Sequence, residues 1–302
     1  MQQIVLIDLS NLAFRAYFSH KDKNRQSLMN REGYATGMLY GTIQSLYYLY
    51  QKYQWNYKQV ILVQDSKPVN KFELYPEYKS GRKKEELPEK QSIGLQLKMT
   101  KMVLGYLGIN QVVSDGNECD DAICTLCKLF TSNNFKVLVV SADHDMNQLL
   151  SPNVDIMALI NQGEPIITED LFVEQNSFVP DDYWKIQTLA GCSTDNVPGM
   201  TGIGEGMASH IITMNSWERI IKNDIELKFP DKRSQTAFRK NFEQWNWQRD
   251  MQLVKLKNNV KITHIKGKLD KDVVRKWFLR LEFKHFLLPD NFHNLLKVFG
   301  GY

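Results

Sequence analysis

The stretch "IVLIDLSNLAFRAY" (residues 4–17) gives the first indication of the fold. It begins with four apolar residues, a run that is too short for a helix and typical of a strand buried on both faces. Two further runs have the same character, "VILV" (60–63) and "VLVV" (137–140). Because all three are rich in β-branched residues, we predict that they are strands of one parallel sheet.

Apolar residues at helical spacing occur between these runs, in 36–53 and near 91–107. Strands that alternate with helices predict an α/β fold with a mostly parallel sheet flanked by helices. The pattern changes near residue 180, where a helix that begins with acids precedes a glycine-rich segment. We therefore expect one domain over residues 1–180 and a mainly helical region over 181–302.

The composition is that of an ordinary globular protein. The 302 residues are 43% hydrophobic and 24% charged, and the net charge is +4. This balance excludes an intrinsically disordered chain, and it is only weak support for a nucleic-acid partner. The sequence has no apolar run long enough to cross a bilayer and no signal-peptide pattern, so we expect a cytoplasmic protein without membrane contact.

Each of the three predicted strands is followed by an acid, namely Asp8, Asp65 and Asp143. A fourth segment, 109–118, predicts a shorter strand that leads to Glu118. Sites in open α/β sheets lie beyond the carboxyl ends of the strands, so these side chains are expected to share one crevice. A single acid is better explained as a helix cap or turn residue, but four acids together require cations.

Two pairs of acids extend this cluster. Glu118 and Asp121 share one face if a helix begins there, and Asp143 and Asp145 point the same way if the third strand continues through them. Carboxylate oxygens are the ligands that Mg²⁺ and Mn²⁺ prefer, so the cluster predicts a site for these ions. The six histidines are scattered and lack the paired spacing of a zinc site.

Three of the four cysteines have the spacing of a plant-type iron–sulfur site, with Cys192 available as a fourth ligand. However, residues 120–130 have a helical pattern without glycine, and on a helix the sulfurs of Cys119, Cys124 and Cys127 would be spread over about 12 Å. They could not converge on one cluster. We therefore expect them to act as small apolar side chains.

With these pieces in order, the chain resembles the 5′ nucleases of the flap endonuclease superfamily. It is particularly similar to the bacteriophage flap endonucleases and to the 5′→3′ exonuclease domain of bacterial DNA polymerase I. The resemblance covers nearly the whole chain. The segments that carry it are "LIDLSNLAFRAY" (6–17), "LYPEYKSGR" (74–82), "GNECDD" (116–121), "VVSADHDMNQLL" (139–150) and "LAGCSTDNVPGMTGIG" (189–204).

The resemblance implies a PIN-like catalytic domain over residues 1–180 with a helical arch at about 66–95. It implies a helical DNA-binding region over 181–302, with a helix-three-turn-helix motif whose helix-hairpin-helix lies at about 195–212. Long polar loops such as 66–95 are usually functional or disordered. The implied enzyme is a monomeric hydrolase of replication and repair, which cuts DNA at 5′ flaps and at nicked or frayed 5′ ends, and also RNA primers in RNA–DNA hybrids.

The resemblance also implies two or more Mg²⁺ or Mn²⁺ ions, K⁺ at the hairpin, and, as a guess from the chain length, a phage enzyme in the host cytoplasm. The implied metal-site residues are Asp8, Asp65, Glu118, Asp120, Asp121, Asp143, Asp145 and Asp195. The implied catalytic residues are Lys79, Arg82 and Asp143, and the implied DNA-binding residues are Arg15, Tyr78, Lys79, Arg82, Gly202 and Gly204.

Each DNA-binding residue has a structural alternative. Lys79 and Arg82 are also compatible with an exposed basic loop, and Arg15 with a surface ion pair. Tyr78 matches a position that stacks on a base, but an isolated tyrosine packs in a core about as often. A lone glycine pair, Gly202 and Gly204, is also typical of a tight turn.

Two positions depart from the family pattern. Cys192 stands where the family usually has an aspartate, and a thiol is a poor Mg²⁺ ligand, so we expect weaker binding of the second ion or a greater demand for Mn²⁺. Glu205 stands where a basic residue is common, which removes a phosphate contact. Two alternative functions remain: a non-catalytic DNA-junction-binding homologue and a PIN-type ribonuclease.

Overall fold

The computed structural model describes residues 2–21, 28–56, 59–81, 87–159, 163 and 165–300, and of residues 87–91 the backbone alone. The strands among them are β1 (Gln3–Asp8), β2 (Val60–Gln64), β3 (Asn110–Val113), β4 (Lys136–Val140), β5 (Val154–Met157), β6 (Ile166–Ile167) and β7 (Thr263–Ile265). They form one seven-stranded sheet in the order β6-β5-β4-β1-β2-β3-β7. Strands β1 to β5 are parallel, whereas β6 and β7 are antiparallel edge strands.

Helices cover both faces of the sheet. No helix in the described part of the chain is long and apolar enough to cross a membrane. The α-helices are α1 (Leu9–Ser19), α2 (Gly37–Tyr53), α3 (Val69–Leu74), α4 (Leu87–Tyr106), α5 (Cys119–Thr131), α6 (Glu169–Asn176), α7 (Pro180–Ala190), α8 (Glu205–Met214), α9 (Trp217–Ile221), α10 (Lys232–Asn241), α11 (Trp247–Val254), α12 (Lys271–Arg280), α13 (Lys284–Leu287) and α14 (Pro289–Gly300).

The central strand β1 explains how the two cores arise. Successive side chains of a strand point to opposite faces, so a continuous apolar run has to be covered on both. Leu6 packs in one apolar cluster with Ile123 of α5. Val5 and Ile7 pack in the other cluster with Leu46 of α2. The four apolar residues of β1 are therefore divided between two helical layers.

The predicted α/β class is confirmed. The predicted strands at 4–7, 60–63 and 137–140 lie within β1, β2 and β4, and the fourth predicted segment contains β3. The predicted helices at 36–53 and 91–107 correspond to α2 and α4. These elements were predictable because their periodicity is a local property of the sequence.

Asp143 and Asp145 were expected to point the same way only if the third strand continues through them, and that condition is not met. Strand β4 ends at Val140, and Asp143 caps a 3₁₀ helix, His144–Leu149. The Asp143 carboxylate accepts a hydrogen bond from the backbone N–H of Asp145 at 3.0 Å. Such a local side-chain bond offers the backbone an alternative to the sheet ladder.

The part of the chain after residue 180 returns to the sheet close to the C-terminus. Strand β7 pairs with β3, and helices α12 and α14 contact α4 and α2 respectively. The C-terminal helices α12 and α14 thus contribute to the layer that covers β1, through residues such as Phe278 and Phe299. The domain boundary near 180 stays a prediction.

The glycine-rich segment forms a close turn between α7 and α8. Gly199 has a φ of +62°, and a Cβ added there would lie 2.2 Å from the backbone nitrogen of Gly191. Only glycine fits this approach without a backbone shift. Gly202 also has a positive φ of +83°. The turn places Asp195 beside the segment that contains Tyr78, because the N–H of Lys79 donates to the Asp195 carbonyl at 2.8 Å.

Candidate metal centre and nucleic-acid site

Acids from four segments meet at the carboxyl end of the parallel strands. Asp8 is the last residue of β1, and Asp65 and Asp143 follow β2 and β4. Glu118 and Asp120 lie at the start of α5. A cavity of about 650 Å³ opens there. Its acidic lining residues are Asp8, Asp65, Glu118, Asp120 and Asp143, and Arg15 and Lys79 are basic lining residues. The sequence prediction that these strand ends converge on one crevice agrees with this geometry.

Asp8 is held rigidly at the end of β1. It caps α1, where its Oδ1 accepts from the backbone N–H of Asn11 at 2.9 Å, and its Oδ2 accepts from the Ser141 hydroxyl at 3.1 Å. Burial raises the pKa of Asp8 to about 6, and the nearby Asp65 and Asp143 also raise it, whereas the bond from Asn11 lowers it. A carboxylate in this position is stabilised by a cation.

Asp8, Cys119 and Asp120 form a compact donor set. One ligand atom from each of these three residues lies within 4.8 Å of the others. The Cys119 thiol also donates to Asp120 Oδ1 at 3.2 Å. Burial, followed by the charges of Asp143 and Asp8, raises the pKa of Asp120 well above its usual value. Two hard carboxylates and one thiol in contact fit a divalent cation, and the thiol adds a preference for softer ions.

Asp65 belongs to the same group through α5. Its Oδ1 accepts from the backbone N–H of Cys119 at 3.2 Å, which is one of the free donors at the start of that helix. Burial is the main cause that raises the pKa of Asp65, and the charge of Glu118 adds to it. The bond to Cys119 therefore ties the end of β2 to the donor set at the start of α5.

Glu118 is buried between two lysines. Lys71 Nζ donates to Glu118 Oε2 at 2.7 Å, and Lys79 Nζ contacts the other carboxylate oxygen, Oε1. Burial alone would raise the pKa of Glu118, but the two ammonium groups outweigh it and hold the pKa at about 2. Glu118 is therefore ionised throughout the ordinary pH range.

Tyr78 lies beneath the cavity. Its side chain is 1% exposed, and its hydroxyl lies 2.8 Å from Asp195 Oδ2 and 3.0 Å from Glu118 Oε2. The ring packs edge-on against Phe72 with 5.8 Å between centroids. The resemblance implied that this ring stacks on a base, but in this structure it is enclosed by protein. The packing alternative describes its position better.

A second cavity of about 930 Å³ adjoins the first, and Asp143 lines both. Its further lining residues include Asp145, Cys192, Asp195 and Glu205. Gln187 of α7 donates to Asp145 Oδ1 at 2.5 Å. Burial raises the pKa of Asp145 to about 6, with a further contribution from Asp143. The two departures from the family pattern thus lie on the wall of this second cavity.

Cys192 is held by its own turn. Its backbone exchanges two hydrogen bonds of 2.9 Å with Val197, and its sulfur lies 3.1 Å from the Thr194 hydroxyl. Burial raises the pKa of the Cys192 thiol, and the charges of Asp145 and Asp195 add to this. The residue thus brings a neutral thiol to a wall that is otherwise acidic.

Asp121 is a predicted metal-site residue that lines neither of the two cavities. Its side chain is buried, and Oδ1 accepts from the backbone N–H of Lys257 at 2.8 Å. Burial raises its pKa, while Lys71 lowers it. Asp121 thus joins α5 to the segment that follows α11. This contact gives it a supporting position behind Glu118.

Apart from the buried Tyr78, the predicted DNA-binding residues that the structure describes lie in two places. Arg15 on α1 and Lys79 line the first cavity. Gly202 and Gly204 lie in the turn before α8, and Gly204 caps that helix. Arg82 belongs to residues 82–86 of the predicted arch, which lie outside the described residues.

Two residues of the site were not predicted from the sequence. Cys119 packs in the apolar cluster beside Cys127, as expected of a small apolar side chain, but it also lines the first cavity. The adjacent acids on both sides of Cys119 were a signal that could have been used. Lys71 gave no such signal, because a lysine in a polar segment is ordinarily exposed.

Comparisons with known proteins identify the family of this chain. Residues 3–177 match the family model described as 5′-3′ exonuclease, N-terminal resolvase-like domain. The thermostable DNA polymerase I of Thermus thermophilus is 30% identical over 223 residues, which is 73% of this chain and 25% of that protein. The 5′-3′ exonuclease of Aquifex aeolicus is 29% identical over 224 residues, 74% of this chain and 73% of that protein. The chain therefore spans about a quarter of the length of the polymerase relative.

Solved structures show the same fold. The flap endonuclease of bacteriophage T5, in a complex with DNA and metal ions, superposes with a TM-score of 0.65 at 20% identity, covering 84% of this chain and 89% of that one. Flap endonuclease-1 from Methanococcus jannaschii superposes with a TM-score of 0.60 at 17% identity, covering 99% of this chain and 93% of that one. At these identities the likeness concerns the fold, which is that of the PIN-like 5′ nucleases.

Proposed function

This chain belongs to the 5′-3′ exonuclease family of 5′ nucleases, and we propose that it is a metal-dependent 5′→3′ exonuclease and flap endonuclease. The observation that carries the proposal is the convergence of carboxylates from four segments on one cavity, with Arg15 and Lys79 beside them. A surface that only binds nucleic acid gains nothing from such negative charge, because it repels the phosphates. Together with cations, the same charge favours phosphodiester hydrolysis.

The proposed ions are Mg²⁺ or Mn²⁺, two or more in number. Asp8, Asp120 and Cys119 would hold the ion or ions of the first cavity, with Asp65 and Glu118 beside them, since these donors lie closest together. The ion or ions of the second cavity would lie near Asp143, Asp145 and Asp195, which line that cavity. When bound, such ions supply positive charge that stabilises the reacting phosphate.

The remaining roles belong to the side chains of the chain itself. Lys79, at the rim of the first cavity, would bind the phosphate next to the cut, and Arg82 would assist it. Arg15 would bind a neighbouring phosphate, because a guanidinium matches phosphate geometry. Asp121 would support Glu118 from behind rather than hold an ion, because its oxygen is engaged by the Lys257 N–H.

The proposed substrate is DNA with a 5′ flap, a nick or a frayed 5′ end, including RNA–DNA hybrids that carry a primer. The bacteriophage T5 relative was captured with DNA and metal ions, which supports this class. The turn with Gly202 and Gly204 would approach the duplex backbone, with K⁺ bound there, because glycine leaves the backbone accessible. Glu205 at the start of α8 would weaken this contact.

A cleavage assay tests the proposal against its two alternatives. Labelled flap DNA, single-stranded DNA and single-stranded RNA are incubated with Mg²⁺, with Mn²⁺ or with chelator. We expect metal-dependent cleavage of the flap and its loss in Asp120→Asn, while Asp170→Asn, an exposed acid on α6, cleaves normally. Flap binding without cleavage would identify a junction-binding protein, and preferential cutting of RNA would identify a ribonuclease.

A further inference from the structure

We propose that Lys71 and Tyr78 are positioning residues that hold Glu118 and Asp195, and thereby the two acidic groups of the site, at a fixed separation. This inference rests on the proposed function, because it assigns a role toward the same ions. Neither residue reaches the reacting atoms. Their effect would be exerted through the two carboxylates.

Lys71 lies on α3, at the base of the predicted arch. It is only 5% exposed and lines neither cavity, so substrate cannot contact it in this structure. Its ammonium group donates to Glu118 Oε2 at 2.7 Å and lies 3.4 Å from the Tyr78 hydroxyl. Lys71 therefore anchors one wall of the first cavity to α3.

The Tyr78 hydroxyl continues this network. It carries one proton, so it can donate fully to only one of its two carboxylate neighbours. Asp195 at 2.8 Å is the nearer one. The Glu118 oxygen at 3.0 Å already receives a hydrogen bond from Lys71. The consistent assignment is a chain in which Lys71 donates to Glu118 and Tyr78 donates to Asp195.

The two anchored carboxylates belong to different cavities. Glu118 lines the first and Asp195 lines the second. Glu118 precedes α5, whereas Asp195 lies in the turn after α7, far away in the sequence. Lys71 and Tyr78 connect these two elements through buried contacts, so both acidic groups share one support at the base of the arch.

A purely stabilising role explains this arrangement poorly. Removing a lysine from water is costly, and a buried ion pair is often no more stabilising than well-packed apolar residues. A buried tyrosine hydroxyl likewise contributes little net stability, unless its removal leaves a buried polar group without a hydrogen bond. The benefit is the fixed orientation of metal-site carboxylates, whose supporting partners are typically worth about 10–100-fold in metal affinity.

The charge of Lys71 allows positioning to be separated from simple electrostatics. If Lys71 acted only as a positive charge beside the acids, Lys71→Met would tighten binding of a cation. If Lys71 orients Glu118, the same change loosens binding. Tyr78→Phe keeps the charge and the ring and removes only the hydroxyl. It therefore tests the contacts of the hydroxyl with Asp195 and Glu118 without a change of charge.

The experiment measures Mn²⁺ binding directly, by electron paramagnetic resonance of the free ion, in the full chain without DNA. We expect the Mn²⁺ dissociation constant to rise about tenfold in Tyr78→Phe and in Lys71→Met. The matched controls are Tyr75→Phe and Lys67→Met, which alter neighbouring side chains outside the network and should not change it. Lys71→Arg, which keeps the charge, replaces Lys71→Met if the latter does not fold.

DNA affinity, measured by fluorescence anisotropy in Ca²⁺, completes the test. We expect it to stay within about twofold of the parent in both variants, since neither side chain is exposed to DNA. An unchanged Mn²⁺ constant in Tyr78→Phe, or tighter binding in Lys71→Met, would overturn the inference. Weaker DNA binding at an unchanged Mn²⁺ constant would also overturn it and favour base stacking by Tyr78. A parent protein that binds no Mn²⁺ and cuts no flap would instead refute the proposed function.

Discussion

The sulfur of Cys119 lies 3.2 Å from Oδ1 of Asp120, within the same donor set as Asp8. A thiolate is a soft ligand that prefers Zn²⁺ or Cd²⁺ to Mg²⁺. We expect Cd²⁺ to inhibit the parent strongly, with the ultraviolet charge-transfer absorbance of a cadmium–thiolate bond. Cys119→Ala should raise the inhibiting Cd²⁺ concentration about tenfold, equivalent to about 1.4 kcal/mol, and abolish the absorbance.

Cys127→Ala is the matched control for this measurement, because Cys127 is buried on the same helix and in the same apolar cluster but does not line the first cavity. It should keep both the inhibition and the absorbance. If Cys119→Ala and the parent give the same absorbance with Cd²⁺, the thiol is not a ligand.

Because the pKa of Asp8 is raised, we predict that the free energy of unfolding of the metal-free protein depends on pH. Since the pKa is about 6 in the folded chain and 3.8 in the unfolded one, the folded state keeps a proton that the unfolded chain releases between these values. The free energy of unfolding therefore falls as the pH rises through this window. Asp8→Asn should remove the contribution of Asp8 to this slope and stabilise the metal-free protein at pH 7 by about 1–3 kcal/mol.

Urea unfolding in chelator at several pH values measures this effect. The side-chain amide oxygen introduced by Asp8→Asn can still accept from the N–H of Asn11, so the cap of α1 should survive the change. Asp170→Asn on the exposed face of α6 serves as the control and should keep the slope. A parallel loss of stability at all pH values in Asp8→Asn would contradict the prediction.

Glu118 should show the opposite sign. Its pKa is held at about 2, below the ordinary 4.5, so its ion pairs stabilise the fold above pH 4.5 and this contribution is lost as the pH falls toward 2. Glu118→Gln leaves Lys71 buried without its counter-charge. We expect it to lower the free energy of unfolding at pH 7 by about 3 kcal/mol.

Glu282→Gln provides the comparison, because its pair with Arg31 is at the surface, where the Arg31 side chain is 82% exposed. Such a pair contributes less than about 1 kcal/mol. Equal losses of unfolding free energy in Glu118→Gln and Glu282→Gln, measured by urea unfolding at pH 7, would show that the buried Lys71 does not require the charge of Glu118.

The side chain at position 192 is expected to affect the Mg²⁺ concentration that cleavage requires. In Cys192→Asp, a carboxylate joins Asp143, Asp145 and Asp195 on the wall of the second cavity. We expect the Mg²⁺ concentration for half-maximal flap cleavage to fall about tenfold, because a charged carboxylate replaces a thiol. Cys192→Ser, which adds no charge, should behave like the parent. An unchanged Mg²⁺ requirement in Cys192→Asp would show that this position has no part in ion binding.

Much of the fold was predictable because its signals are local. The apolar runs of β1, β2 and β4 and the helical periodicity of α2 depend on residues a few positions apart. The acids after these strands could be assigned to one crevice because parallel strands end at the same edge of a sheet. The third strand does not continue through Asp145; it ends at Val140, and the Asp143 side chain bonds locally to the N–H of Asp145.

Periodicity and motif spacing were sufficient to predict the α/β class, the resemblance to the 5′ nucleases and the edge of the sheet at which the acids gather. The side chains that are buried beneath that edge could be identified only in the folded chain. The tertiary structure placed Tyr78 in the interior and Lys71 beside Glu118, and it turned Asp121 toward the backbone of Lys257. The physical reason is that burial and charge pairing depend on segments far apart in the chain, so periodicity and motif spacing do not specify them.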